Sequence, residues 1–224
     1  MARWGHFGTP VLIFPTAGGD FEEIERFQLI AALGELIDAG RIKAYSVDGT
    51  AVRARLSATT SPQDCARLQD RYDSFVYEEV LQRIRKDCQD DHIEPILAGA
   101  SLGASAAMSA ICRHPDSFRA AIGLSGVYDL ARGSCGISRE EVAAFSPASY
   151  VTTLGGPQLE RLRHRTIVLG SGEGDYETPA DSKRMSDAFA SKSIPCRLSL
   201  WGPAHDHTWS TWREMLPGLV AEQL

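Results

Sequence analysis

The rhythm of these 224 residues constrains the fold more than any single motif. Short apolar runs alternate with longer segments of helical spacing along nearly the whole chain. "PVLIFP" (10–15), "IKAYSVD" (42–48), "EPILAGA" (94–100), "AAIGLSGVY" (120–128), "TIVLGSG" (166–172) and "RLSLW" (197–201) each have the length and apolar content of a strand. After the first run, Asp20 and Glu23 stand three apart in a capping-box pattern. Ile24, Phe27, Ile30, Leu33 and Ile37 then keep helical spacing until Gly40. Leu68, Tyr72, Phe75, Val76, Val80 and Ile84 mark a second helix, residues 102–113 a third that ends before Pro115, and about 179–192 a fourth. Trp209, Trp212 and Leu216 begin a terminal helix. Parallel strands need crossover connections, and these helices supply them. The chain therefore reads as α/β, a mostly parallel sheet of about six strands flanked by helices on both faces. Reactive groups in such sheets collect at the carboxyl ends of the strands. The rhythm breaks only at 130–164, which reads as a small cap or a connector. No linker divides the chain, so residues 1–224 are read as one domain.

Charge and cysteine content exclude several classes. The net charge is −6 and no block of lysine and arginine is present, so the footprint that nucleic acid requires is missing. No apolar stretch reaches the length of a bilayer span. "MARWGHFGTP" has no apolar leader core, and the five cysteines (Cys65, Cys88, Cys112, Cys135, Cys196) are odd in number and widely spaced. That pattern suits reduced thiols in a cytoplasmic protein better than a disulfide frame or a zinc site. No phosphate-cradle glycine–lysine motif occurs. His205-Asp206-His207 continues into Thr208 and Trp209, which breaks the dinuclear metal pattern it begins. Neither a metal nor a cofactor is expected. The expected partner is a small molecule, and a homo-oligomer stays open.

Chemistry concentrates in "ILAGASLGASAA" (96–107), where Gly99-Ala100-Ser101-Leu102-Gly103 fits G-x-S-x-G between a strand and a helix. A serine on so sharp a turn crowds its neighbours, and small residues two before and two after relieve the crowding. The helix behind it aims free N–H groups at developing negative charge. A serine nucleophile needs a base and a third group to hold that base. The order on such a sheet is serine, acid, histidine. "GSGEGDYE" after the fifth strand offers Glu173 and Asp175, and "GPAHDHTWSTW" after the sixth offers His205 and His207. Trp209 and Trp212 follow His207 closely enough to wall in its ring. Oxyanion donors are expected at the N–H of Leu102 and in the Thr16-Ala17-Gly18-Gly19 loop. Ser125, in "GLSGVYD", lacks a glycine two residues later and reads as a strand-end residue lining the site.

"VLIFPTAGGDFEEIERF", "IKAYSVDG", "GASLGA", "GLSGVYDL", "GSGEGD" and "HTWSTWREMLP" together resemble the "putative esterase" branch of the α/β-hydrolases. That branch holds S-formylglutathione hydrolase, feruloyl esterases and secreted mycolyl transferases. The resemblance runs from residue 10 to near the end, and H-x-W-x-x-W is its most specific part. It implies an α/β-hydrolase fold with Ser101 as nucleophile, Asp175 as acid, His207 as base and a second oxyanion donor at Gly18. One departure is plain. Relatives carry an antiparallel strand pair before the "VLIFP" strand, whereas "ARWGHFG" leaves room for at most one edge strand. The expected activity is a serine carboxylesterase acting on a small or medium ester or thioester through an acyl-enzyme. An acyltransferase with the same residues and a non-catalytic binding protein on the same fold are the rivals.

Overall fold

The computed structural model describes residues 1–49, 61–129 and 146–224. Among the described residues seven strands form one sheet: β1 (Ala2–Trp4), β2 (Thr9–Phe14), β3 (Ile42–Ser46), β4 (Ile96–Ala100), β5 (Ala120–Leu124), β6 (Thr166–Ser171) and β7 (Arg197–Leu200). Their spatial order is β1-β3-β2-β4-β5-β6-β7. β2 to β7 are parallel to their neighbours, and β1 alone runs antiparallel, against β3. All six expected strands are present, and β1 is the single edge strand for which the shortened N-terminal segment leaves room.

The pleat divides the core in two. Val11 and Ile13 of β2 face one side with Ile24, Leu33, Trp212 and Leu216. Leu12 and Phe14 face the other with Tyr72, Met108 and Phe189. The first face is covered by α1 (Glu23–Arg26), α2 (Leu29–Ala32) and α3 (Gly34–Asp38), and by α10 (Trp209–Ala221) from the far end of the chain. The second is covered by α4 (Pro62–Ser74), a π-helical turn (Phe75–Val80), α5 (Leu81–Cys88), α6 (Leu102–Arg113), α7 (Pro147–Thr153), α8 (Gly156–Leu162) and α9 (Pro179–Ser191). Burying each such aliphatic or aromatic side chain contributes roughly 1.5–3 kcal/mol, which is why both faces read as apolar in the strands.

Three departures from the periodic reading have local causes. The helix expected over 20–40 is three short ones; Gln28, left-handed with φ 62°, separates the first from the second. There Phe27 lies flat on Trp209 of α10, ring centroids 4.8 Å apart, and its carbonyl accepts from Arg213 at 3.0 Å. A tertiary contact has interrupted a good helical pattern. The Asp20–Glu23 capping box does not form: Asp20 accepts from the Glu22 N–H at 2.9 Å, while Glu23 turns back to Thr16. The fourth strand stops at Leu124 instead of running to 128, because Ser125 has φ 47° and turns the chain out of the sheet.

The insertion is described from 146 onward; residues 130–145 lie outside the described residues. Val151, Leu154, Leu159 and Leu162 of that second half are buried in the core, where α7 packs on α6 and α9, and α8 packs on α6. At the amino ends of the strands charge is neutralised locally. The Tyr45 hydroxyl and the Lys43 ammonium, with Arg3 beside them, hold the Asp87 carboxyl down to about 2. Among the described residues no helix is long and apolar enough to cross a membrane.

Candidate active site

Ser101 sits where β4 ends and α6 begins, with φ 54° and ψ −122°. Few non-glycine residues occupy that region, and holding one there costs about 1–3 kcal/mol. The neighbours explain how the turn is tolerated. A side chain at Gly99 would collide with the backbone of Gly103, and one at Gly103 would lie 2.5 Å from the Phe14 carbonyl oxygen. Glycines on both sides of the serine let β4, α6 and β2 close on one another. The turn is pinned by the Ser101 N–H donating to Leu124 O (2.9 Å) and by the Ala104 N–H donating to Ser101 O (3.2 Å). The hydroxyl is half-buried, and no hydrogen-bond partner for it occurs among the described residues.

The loops after β6 and β7 zip together. Glu173 N–H donates to Gly202 O and Gly174 N–H to His205 O, each at 3.0 Å, and Asp206 accepts from the Tyr176 N–H at 3.1 Å. Side chains at Gly172 and Gly174 would run into His205 and Asp206. This pairing leaves Glu173 and Asp175 exposed and turns Glu177 inward, where its side chain is 1 % exposed. The carboxylate beside His207 is therefore that of Glu177, with Oε2 3.6 Å from Nδ1. The structure does not bring Asp175 to the histidine. Asp175, the acid that the family resemblance implied, is exposed, and the backbone pairing of the two loops presents Glu177 to the histidine. One signal was available: Glu177 directly precedes Thr178-Pro179, the start of α9, where a helix end favours a carboxylate.

Glu177 is held by Ser125, which the sequence placed as a strand-end residue lining the site. The Ser125 hydroxyl donates to Glu177 Oε1 and accepts from Trp212 Nε1 at 3.0 Å. Thr178 N–H reaches Glu177 Oε2 at 3.3 Å. The His207 ring meets Trp212 edge to face at 5.1 Å. Trp209, expected against that ring, packs instead on Trp212 and Phe27. His205 faces elsewhere: its Nε2 lies 3.3 Å from Glu214 and its ring meets Trp201.

Gly18 lies in a turn closed by the Gly19 N–H donating to Thr16 O at 3.3 Å, and its φ of 74° at the third position is that of a type II turn. The turn and the Leu102 N–H at the start of α6 border the same junction, because Gly103 packs on Phe14 and Pro15. No acceptor for the N–H groups of Gly18 or Leu102 occurs among the described residues. No cluster of metal-ligating side chains occurs among them either.

A parallel sheet with a left-handed serine between strand and helix, and histidine and carboxylate on later strand-end loops, defines an α/β hydrolase. Residues 19–222 match the family described as "Putative esterase". The chain belongs to that family, and with it to the carboxylic ester hydrolases. No curated protein sequence matches it. Among solved structures, a ferulic acid esterase superimposes with a TM-score of 0.73 at 18 % identity, over 97 % of this chain and 84 % of the other. An S-formylglutathione hydrolase from Agrobacterium tumefaciens gives 0.68 at 14 %, over 97 % and 84 %. Mycobacterium tuberculosis MPT51 gives 0.72 at 13 %, over 99 % and 90 %.

Proposed function

We propose that the protein is a serine carboxylesterase for small or medium esters or thioesters, with Ser101 as nucleophile, His207 as base and Glu177 as the acid. The observation that carries this reading is the strained backbone of Ser101 at the strand–helix junction, since strain of this kind presents a hydroxyl at the head of a helix. His207 Nδ1 faces a buried carboxylate, which keeps the proton on Nδ1 and leaves Nε2 as the base. Nε2 takes the Ser101 proton as Oγ attacks the ester carbonyl. The carbonyl oxygen becomes an oxyanion, which the N–H groups of Leu102 and Gly18 stabilise. The tetrahedral intermediate collapses, and the imidazolium returns its proton to the departing alcohol or thiol. Water, deprotonated by the same nitrogen, then releases the acid and frees Ser101. Glu177 stabilises the imidazolium in both halves without itself taking the proton.

The test is an active-site titration with a fluorophosphonate beside turnover of p-nitrophenyl esters graded by chain length. One equivalent of label on Ser101, with turnover that Ser101→Ala abolishes, supports the reading. Label on another residue, or turnover that survives Ser101→Ala, sinks it. Acyl transfer to an added alcohol in preference to water makes the enzyme a transferase.

A further inference from the structure

We infer that Glu23 is the positioning residue of the oxyanion turn; this rests on the reading above, in which Gly18 supplies a donor. Glu23 is an acidic side chain buried to 6 % exposure, and the catalytic steps make no use of it. Both of its oxygens go to one residue: Oε2 accepts from the Thr16 N–H at 2.7 Å, and Oε1 accepts from the Thr16 hydroxyl at 2.8 Å. The carboxylate occupies the space beside Gly19, where any side chain would collide with it. Gly19 is tied on its other side, its carbonyl accepting from the Gly49 N–H at 3.1 Å. Thr16 and Gly19 are the first and last residues of the turn, so both of its ends are fixed. The peptide between Ala17 and Gly18, which carries the Gly18 N–H, lies between those two fixed ends.

The chemistry of the contact favours a carboxylate, whose charge strengthens both hydrogen bonds. It presents two acceptors to two donors, whereas an amide presents one acceptor and one N–H₂ group. In Glu23→Gln both ties lose their charge assistance, and the second forms only if the Thr16 hydroxyl reverses and accepts from the amide N–H₂, so the turn is held more weakly. A donor displaced by a fraction of an ångström stabilises the oxyanion poorly while ground-state binding changes little. This also accounts for the acid three residues after Asp20, which looks like a cap in the sequence and does not serve as one.

The experiment compares wild type, Glu23→Gln, Thr16→Val and the double variant on p-nitrophenyl acetate, with melting temperature followed in parallel. For Glu23→Gln, kcat should fall about ten- to a hundredfold with KM within about twofold. Affinity for a trifluoromethyl ketone, whose serine adduct carries an oxyanion, should fall by a similar factor. Thr16→Val should cost less, and should add nothing to Glu23→Gln. A lower melting temperature with unchanged kcat, an effect confined to KM, or strictly additive losses would each overturn the inference. If Glu23→Gln does not fold, Thr16→Val decides, and wild-type kcat and ketone affinity there overturn it. Fluorophosphonate titration of wild type separates the two levels. If Ser101 is not labelled, the esterase reading and this inference fall together. If it is labelled and Glu23→Gln turns over normally, only this inference falls.

Discussion

Two serines just past the ends of adjacent strands share a positive φ and have opposite surroundings. Ser101 follows β4 with φ 54°, and Ser125 follows β5 with φ 47°. Both N–H groups reach the next strand's carbonyl, Ser101 to Leu124 and Ser125 to Gly170. Both therefore hold strain of the order of 1–3 kcal/mol that the sheet imposes. The difference lies in the hydroxyls. That of Ser101 is half-buried with no partner among the described residues, and a helix starts behind it. That of Ser125 is 4 % exposed and fully engaged, donating to Glu177 and accepting from Trp212. Strain alone does not make a nucleophile. A reactive serine needs an uncommitted hydroxyl facing an N-terminal helix end; an engaged one orients a carboxylate.

The largest effect that could break this contrast belongs to Ser101. Ser101→Ala should lower kcat by about four orders of magnitude or more and abolish fluorophosphonate labelling, whereas Ser125→Ala should still label. Labelling at Ser125 in intact protein by mass spectrometry would reverse the two roles.

Next comes the carboxylate that Ser125 holds. Glu177→Gln should cost about two to four orders in kcat, since the imidazolium loses its counter-charge. Asp175→Asn should stay within a few-fold of wild type, because Asp175 is exposed and its carboxylate does not meet His207. Steady-state kinetics on one ester decides this, and a crippled Asp175→Asn would restore the acid read from the sequence.

A smaller loss should follow removal of the Ser125 hydroxyl itself. A hydrogen bond to a charged group contributes about 1.5–3 kcal/mol, so Ser125→Ala should lower kcat roughly ten- to a hundredfold. Ser125→Gly sharpens the comparison. It lacks the same hydroxyl but adopts positive φ without strain, so kcat should match Ser125→Ala while chemical denaturation gives about 1 kcal/mol more stability. Equal stabilities would mean that the left-handed turn carries little strain.

The smallest effect should be that of Trp212→Phe, which keeps a ring against His207 and removes only the N–H donated to Ser125. A neutral hydrogen bond contributes about 0.5–1.5 kcal/mol, so kcat should drop a few-fold. A loss as large as that of Glu177→Gln would show that Trp212 acts on His207 directly through the ring contact at 5.1 Å.

What could be read from the chain without coordinates was whatever local periodicity and local crowding control. The room left for one edge strand came from the family resemblance, while six strands, the α/β class and the glycines around Ser101 all follow from residues a few places apart in sequence. Steric and hydrophobic rules are strongest at that range. Of the two histidines, His207 is the one that faces a buried carboxylate, in line with its place before the H-x-W-x-x-W aromatics.

What only the tertiary structure decided involves partners far apart in sequence. Glu173, Asp175 and Glu177 alternate in one loop, and only the place of Glu177 just before Thr178-Pro179 sets it apart in the sequence. The backbone pairing of 173–174 with 202–205 turns the third one inward. Phe27 sits in a sound helical pattern that ends because Trp209 and Arg213 claim its ring and carbonyl. Glu23 resembles a cap three residues after Asp20, yet it lies under the Thr16–Gly19 turn. In each case a buried polar group or a large ring was satisfied across the fold. Leaving such a group unpaired would cost more than the local preference it overrode.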